Sequence, residues 1–361
     1  MNHPQRLPFI DTLKAIGAQL VVLHHLAFYG PMSDYAYALL PGVIEWLSDH
    51  ARIAVQVFLV SSGFLAARSL APDGRLHTPT PLLLLLRRYI KLVIPYLAAI
   101  SIAIGCAAVA RAWMDHDSIP AAPTVPQVVA HALLLHGVLG MDSLSAGVWY
   151  VAIDFQLFAL LLALLWLGRR WPSDRAQPIG VVLVTGLTAA SLYVFNRNPD
   201  WDDWGPYFFG AYGLGVVAFW ASGQPRARWW LAALALLALP ALAMDFRSRI
   251  ALALVVALSL GLARCHGGLT TLPGLHRTLG SYCSRISYSL FLIHFPIALL
   301  INAGFSRWGG TQPALHLGGL VVAWIGCNMA GVAFYHLVEH PVRAWPERIA
   351  QPLSRSPAPR W

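Results

Sequence analysis

The chain of 361 residues is 57% hydrophobic and only 11% charged, with a mean hydropathy of +0.59. Soluble domains carry about 25% charged residues, so this composition excludes an ordinary soluble protein and predicts a membrane protein. The formal net charge of +9 would suit a nucleic-acid partner, but the basic residues lie mostly in short connections between apolar runs. This distribution follows the positive-inside effect, and no nucleic-acid partner is predicted.

Ten apolar stretches are about 17–25 residues long, which is the length of a transmembrane helix. They lie at residues 9–29, 49–69, 89–110, 147–168, 178–195, 204–221, 228–245, 247–264, 283–304 and 314–338. The first stretch ends in His24 and His25 without a small-residue cleavage site, which predicts a retained helix instead of a signal peptide. The predicted fold is all-α, a polytopic membrane protein with about ten transmembrane helices around a central cavity.

A further apolar segment, residues 126–140, is too short to cross a bilayer. It follows the proline-rich residues 120–126 and carries His131 and His136. We predict a short re-entrant or interfacial helix here. Since no long linker divides the chain, the predicted domains are a membrane domain, residues 1–345, and a polar cytoplasmic tail, residues 346–361.

The distribution of charged residues predicts the topology, because cytoplasmic connections are enriched in arginine and lysine. If segment 126–140 does not cross, one side receives Arg68, Arg75, Arg87, Arg88, Arg169, Arg170, Arg175, Arg226, Arg228, Arg264, Arg277, Arg285 and the arginines between 343 and 360. The other side receives Asp34, Glu45, Asp49, Asp115, Asp117, Asp142, Asp200, Asp202 and Asp203. We therefore predict that both termini are cytoplasmic and that the connection 111–146 lies outside.

Cysteine usage gives no sign of a metal site or a disulfide framework. The four cysteines, Cys106, Cys265, Cys283 and Cys327, are dispersed without CxxC or Cys/His spacing. Zinc sites and disulfide-stabilised domains need clustered or regularly spaced cysteines. These residues are predicted to serve in packing, and no metal is predicted.

Ionisable residues within the first predicted helix cost roughly 2.5–3.5 kcal/mol each to insert, so each needs a partner or a function. Lys14 and His25 are eleven positions apart, which places them on nearly the same face, roughly 16 Å apart along the axis. One cleft could contain both. Asp11 can neutralise Lys14 but is roughly 21 Å from His25, so the partner of His25 must come from another helix. Alternatively, Lys14 extends to the interface and His25 is a packing histidine.

Five segments form an ordered pattern over nearly the whole chain. They are Ile10 to Gly17 with His25, Phe58 to Leu65, Arg88 to Lys91 with Pro95 and Tyr96, Ser287 to Pro296, and Glu339 to Arg343. The pattern resembles the acyltransferase-3 family of membrane-bound sugar and polysaccharide O-acyltransferases. The segments are similar to its first-helix basic residue and histidine, its Ser-Gly-Phe-Leu signature, its Arg-x-x-Arg segment, its penultimate-helix histidine motif and its closing Glu-x-Pro.

Three positions depart from the family pattern. Lys91 replaces the second arginine of the Arg-x-x-Arg segment, so any phosphate contact there would be made by a point charge instead of a planar fork. Gln56 stands where the family often has aspartate. Asp154 stands where it usually has glutamate, and its reach is one methylene shorter.

The resemblance and the predicted depths together imply roles for the polar residues. Lys14, Arg87, Arg88 and Lys91 at the cytoplasmic end would bind the phosphates of an acyl-CoA, with Glu339 and Arg343 at the same end. His25, Gln56, Asp154 and His294 would lie between the midplane and the outer side. His25 is the candidate base because imidazole titrates near neutral pH, and Asp154 would orient it. His294 would act as oxyanion donor, second base or acceptor-binding residue.

Several alternatives stay open at these positions. Ser287 could simply be the hydrogen-bond partner of His294. Ser62, with Ser61 and Gly63, is typical of close helix approach more than of a nucleophile. Asp11, Gln56, Ser62 and Glu339 are therefore taken as supporting residues. The sequence does not distinguish direct transfer from a course through an acyl-His25 intermediate.

The resemblance implies a function for the chain. We expect an acyl-CoA-dependent O-acetyltransferase that uses acetyl-CoA to modify a sugar of a lipid-linked or exported polysaccharide at a bacterial inner membrane, similar to xanthan-type exopolysaccharide acetyltransferases. Membrane lipid and other polysaccharide-assembly proteins are the expected partners. The alternative is a transporter or flippase for a sugar-lipid or an anion. Two halves with matching broken helices would favour that alternative, and the sequence shows none.

Overall fold

A computed structural model describes residues 7–170, 178–270 and 274–342. The helices are α1 (Pro8–Phe28), α2 (Met32–Ala36), α3 (Pro41–His50), α4 (Val55–Leu70), α5 (Pro81–Trp113), α6 (Val125–Ala132), α7 (Trp149–Arg169), α8 (Ile179–Tyr193), α9 (Gly205–Ser222), α10 (Ala227–Met244), α11 (Ser248–Cys265), α12 (Gly274–Trp308) and α13 (Pro313–Phe334). Short turns of 3-10 helix cover Ala51–Ala54, Phe195–Arg197 and Pro199–Trp201, and a π-helical turn, Tyr335–Glu339, precedes His340–Val342. The described residues contain no β-strand, which confirms the predicted all-α fold.

Proline and capping residues set where several helices begin. Pro8, Pro81 and Pro313 occupy the first turn of α1, α5 and α13. Proline suits this position because it fixes φ near the helical value and lacks an N–H that would have no partner there. α6 begins with a capping box, in which Thr124 and Gln127 each accept a hydrogen bond from the other's backbone N–H. These signals separate the long apolar runs into distinct helices.

Within the described chain, eight helical segments are long and apolar enough to cross a bilayer. They are Pro41–Leu70, Pro81–Trp113, Trp149–Arg169, Ile179–Arg197, Ala227–Met244, Ser248–Cys265, Gly280–Trp308 and Pro313–Val342. The other two predicted spans, residues 9–29 and 204–221, correspond to α1 and α9, which are helices of 21 and 18 residues but are less apolar. The structure therefore confirms a multi-pass membrane protein with eight candidate spans instead of ten.

The surroundings of α1 and α9 explain why their hydropathy is lower than that of the eight candidate spans. Nearly every residue of α9 is buried, and α4, α7, α8, α10 and α11 pack around it. α1 packs against α3, α4 and α12. A helix that is enclosed by other helices does not need the hydropathy of one that faces lipid. Both helices can therefore hold polar side chains or glycines inside the bundle.

α12 brings the C-terminal histidine motif to the first helix, because it packs against α1, α5 and α13. The connection between α5 and α7 contains only the eight-residue helix α6, followed by turns. Such a helix is about 12 Å long, too short to cross a bilayer. The membrane side of each terminus stays a prediction, and the tail at residues 346–361 lies outside the described residues.

Candidate active site

Two histidines from distant parts of the chain form a direct pair. His25 Nδ1 lies 2.6 Å from His294 Nε2, and the two ring planes are nearly parallel, 12° apart, with their centroids 4.9 Å apart. His294 is fully buried, whereas His25 keeps partial exposure. The hydrogen-bond partner of His25 thus comes from α12, as the lack of a suitable partner within the first helix led us to expect.

The backbone around His294 fixes the tautomers of the pair. His294 Nδ1 lies 3.0 Å from the carbonyl oxygen of Leu290. Because a carbonyl only accepts, Nδ1 of His294 carries the proton and Nε2 of the neutral ring carries the lone pair. The 2.6 Å hydrogen bond is then donated by Nδ1–H of His25. The lone pair of neutral His25 is therefore on Nε2, where it can accept a proton from a substrate.

His25 lines a cavity of about 880 Å³ at one end of the bundle. We call this the histidine end; it is formed by the C-terminal end of α1, the N-terminal ends of α4, α7, α9 and α11, and the connections beside them. The polar lining residues are His24, His25, Asp49, His50, Arg52, Gln56, His136, Ser143, Ser145, Gln156, Asp202, Asp203, Arg247, Ser248 and Arg249. Aromatic walls come from Phe28, Tyr29, Trp149, Tyr207, Phe208, Phe246 and Phe291.

Only part of the predicted site lines this cavity. His25 and Gln56 do so, whereas Lys14, Asp154 and His294 do not. The expectation that one cavity contains both Lys14 and His25 is therefore not met here. His294 instead supports the lining residue His25 from its buried side.

Asp154 pairs with an arginine, not with a histidine. The Arg88 guanidinium donates to the Asp154 carboxylate and also lies over the Phe158 ring, 5.3 Å from its centroid. The prediction that Arg88 and Asp154 occupy separate layers is therefore wrong, and Asp154 does not contact His25 in the hydrogen bonds of the described residues. The cause is the length of α5, which begins at Pro81, eight residues before the predicted span, so Arg88 lies about two turns inside the helix.

Aromatic side chains occupy the space between the ion pair and the histidine pair. Tyr150 lies one turn before Asp154 on α7, and its ring centroid is 5.3 Å from that of Phe291. The Phe291 ring is in turn 6.2 Å from His294. The Ser62 hydroxyl lies close to the Tyr150 side chain, so this predicted supporting residue faces the same region. The two polar pairs are thus joined through packed aromatic rings.

The basic residues of α5 offer donors suited to a polyanion. The Nε atoms of Arg87 and Arg88 are buried and have no hydrogen-bond partner among the described residues. Lys91 is exposed and Lys14 is partly buried. Buried guanidinium donors call for an acceptor, and phosphate oxygens are their preferred ligands. The residues present therefore fit the phosphates of an acyl-CoA.

The remaining supporting residues connect helices near α12. The Ser284 hydroxyl donates to Asp11, 2.9 Å away, and the Ser289 hydroxyl donates to buried Glu339. Ser287 donates to the Ser284 carbonyl and His294 to Leu290, so the alternative that Ser287 is the partner of His294 is wrong. Asp11 and Glu339 thus fix α12 against its neighbours.

The connection between α6 and α7 supplies site residues that the sequence reasoning did not select. His136, Ser143, Ser145 and Gly147 line the cavity. Gly147 has φ +82°, and a Cβ there would lie 3.6 Å from His25 Cε1. A glycine is favoured at this turn because other residues rarely adopt that φ. The histidines of segment 126–140 were visible in the sequence, but nothing in their spacing indicated a contact with the first helix.

Comparison with known proteins gives one finding. A model of the acyltransferase-3 family, described as an acyltransferase domain, matches residues 7–331. This range contains four of the five segments on which the resemblance was based and extends from α1 into α13. No curated protein and no solved structure gives a match.

Proposed function

Because the chain belongs to the acyltransferase-3 family and is a membrane acyltransferase, we propose that it transfers an acetyl group from acetyl-CoA to a sugar hydroxyl. The proposed acceptor is a lipid-linked or exported polysaccharide at a bacterial inner membrane, as for xanthan-type exopolysaccharide acetyltransferases. Membrane lipid and other polysaccharide-assembly proteins are the proposed partners. Family membership favours group transfer over the alternative of a transporter or flippase.

The observation that carries the proposal is the His25–His294 pair beside a large polar cavity. His25 Nε2 takes the proton of the acceptor hydroxyl while the hydroxyl oxygen attacks the thioester carbonyl carbon. The carbon–sulfur bond breaks, an oxygen ester forms, and the proton passes from His25 to the departing thiolate. His294 accepts the Nδ1–H hydrogen bond throughout, which holds the ring in place and stabilises its charged form.

The donor is proposed to bind from the opposite end of the bundle. Arg87, Lys91 and Lys14 would hold its phosphates, and the buried Nε donors of Arg87 and Arg88 support this assignment. Arg88 shares its charge with Asp154, so we place it at the inner end of the donor site. The aromatic side chains of Tyr150 and Phe291 would then exclude water along the route to His25.

The test uses purified protein in lipid nanodiscs with acetyl-CoA and extracted lipid-linked glycans. Thiol release and acetyl incorporation into glycan are measured together. We expect equal amounts of both from the wild type and neither from His25→Ala, because the base is removed. His266→Ala, a change of an exposed histidine at the end of α11, is the matched control and should retain activity.

The outcomes separate the competing functions. Glycan movement without thiol release would reject the acetyltransferase and support the flippase. Full activity of His25→Ala, at a normal protein level in the membrane, would reject His25 as base or acyl carrier.

A further inference from the structure

Two buried side chains on the connection between α6 and α7 line the cavity and hold polar atoms that have no hydrogen-bond partner among the described residues. Both ring nitrogens of His136 and the hydroxyl of Ser145 have no such partner among the described residues. His136 is 1% exposed and Ser145 is 2% exposed, and both line the cavity. A buried polar group without a partner costs about 1–3 kcal/mol, so a site that holds three such atoms calls for a ligand.

The neighbouring residue His131 differs from His136 in its hydrogen bonds. His131 stacks on His136 with ring centroids 4.1 Å apart, but its nitrogens are both used: Nδ1 donates to the Gln127 carbonyl and Nε2 accepts from Leu144 N–H. His131 thereby fixes the connection and supports the His136 ring from behind. His136 shares this stack but lacks such backbone bonds, so both of its nitrogens are unpartnered beside the cavity that the residue lines.

The chemistry of the two side chains selects neutral hydroxyl groups. Burial, and then the proximity of His131, lowers the pKa of His136 to about 4, so the ring is neutral near pH 7. A neutral imidazole offers one N–H donor and one lone pair, and serine likewise both donates and accepts. A hydroxyl needs this combination, whereas a carboxylate or phosphate would need donors alone.

The connection between α6 and α7 passes beside His25, the proposed base. Ser145 is two residues before Gly147, whose backbone passes close to His25 Cε1, the carbon that bears both ring nitrogens. On the other side, Gly137 packs against Asp203, another lining residue. The connection therefore extends from the base to the far wall of the cavity.

We propose that His136 and Ser145 form a binding subsite for neighbouring hydroxyls of a polyhydroxylated acceptor, which they hold with one hydroxyl directed at His25. This proposal rests on the proposed function. The two side chains bind the acceptor and take no proton during the reaction. The acceptor is recognised here as a neutral polyol.

The test compares His136→Phe, His136→Gln and Ser145→Ala in the thiol-release assay. Two acceptor probes are tried with the wild type, a panel of methyl glycosides and the extracted lipid-linked glycans. The probe that reacts faster is used for the variants. We expect His136→Phe to raise the KM for the acceptor about tenfold and Ser145→Ala about fivefold, because each loses hydrogen bonds to hydroxyls. The KM for acetyl-CoA should stay unchanged, and His136→Gln, which keeps a donor and an acceptor, should recover part of the loss.

The matched control is Ser33→Ala, because Ser33 is also buried with an unpartnered hydroxyl but does not line the cavity. It should leave the acceptor KM unchanged. His136→Phe keeps the stacking on His131 and removes two unpaired atoms, so its thermal stability should equal or exceed that of the wild type.

Different experimental results would reject the subsite and the proposed function. If the wild type transfers acetyl groups while His136→Phe and Ser145→Ala keep its acceptor KM, the subsite is overturned and the acetyltransferase stands. If the wild type releases no thiol with either probe, the proposed function fails, and the subsite fails with it. Equal loss in Ser33→Ala and Ser145→Ala would also overturn the subsite, since the effect would then belong to buried hydroxyls in general.

Discussion

His294 acts on the proposed reaction through His25, because its own ring does not line the cavity. Its Leu290 hydrogen bond turns its lone pair towards Nδ1 of His25 and thereby directs the lone pair of His25 to the acceptor. A hydrogen-bond acceptor at this position also stabilises the charged imidazolium that forms during proton transfer. The pair therefore sets both the orientation and the basicity of the proposed base.

His294→Phe should lower kcat about 100-fold and leave the KM values for both substrates within about twofold of the wild type, because His294 does not line the substrate cavity but stabilises the charged form of His25 that arises during proton transfer. His294→Gln can accept from His25 through its side-chain oxygen and should recover part of kcat. Initial rates over a range of each substrate provide the measurement. If Phe and Gln lose the same activity while both proteins remain folded, the role of His294 is only packing.

The sequence provided candidate site residues but not their partners. An ionisable group within an apolar run is visible in the sequence, and together with the family resemblance it selected His25, Asp154 and His294 as candidates. Partners on other helices depend on axial offsets and rotations that one sequence does not specify. Asp154 was therefore assigned to His25 although it contacts Arg88, and His136 was seen but not placed in the site.

The helices α4 and α9 pack so closely that their backbones touch at glycines. A Cβ at Gly63 would lie 2.0 Å from the Tyr212 carbonyl oxygen, and one at Gly215 would lie 2.0 Å from the Val60 carbonyl oxygen. Such distances are impossible for a real side chain, so small residues are required on both helices. This contact explains the glycine of the Ser61-Ser62-Gly63 segment by helix packing, and it places α4 where Gln56 lines the cavity.

Gly63→Ala should destabilise the protein by about 1–3 kcal/mol, because the two backbones must separate to admit the methyl group. The loss can be measured by thermal unfolding in nanodiscs, together with activity. Gly105→Ala is the matched control, since a Cβ at this α5 glycine meets no atom within 4 Å and alanine favours a helix. A Gly63→Ala protein as stable as this control would contradict the close packing.

The length of each apolar run in the sequence correctly located a helix at every predicted span. It did not indicate which of these helices face lipid. α9 is enclosed by five neighbours, and its glycines and aromatic residues serve those contacts. Hydropathy measures suitability for lipid, so it cannot distinguish a polar inner helix from a poor transmembrane one. The same limit applies to α1, whose polar side chains face the bundle at the histidine pair.

The whole molecule has two unlike ends, and the charge bias predicts which of them is cytoplasmic. The histidine end also holds arginines, and the positions of two of them show a structural role. Arg247 donates to the carbonyls of Leu192 and Ala241, in the last turns of α8 and α10, and Arg111 donates to the Pro120 carbonyl. Cations at helix C-termini stabilise the exposed carbonyls, so these arginines need not indicate the cytoplasmic side. The topology then rests on the arginines of the opposite end, around Arg87 and Arg264.

This topology can be tested by the access of a membrane-impermeant maleimide. Cys265 is exposed at the opposite end of the bundle, and Gly42, exposed on α3 at the histidine end, meets no neighbour at its Cβ and accepts a cysteine. In right-side-out vesicles we expect labelling of Gly42→Cys in a Cys265→Ser background but no labelling of native Cys265, and the reverse in inverted vesicles. Labelling of Cys265 from outside would invert the topology. It would place the proposed acceptor cavity in the cytoplasm with the donor entrance outside, where acetyl-CoA is not supplied, and so would reject the proposed direction of transfer.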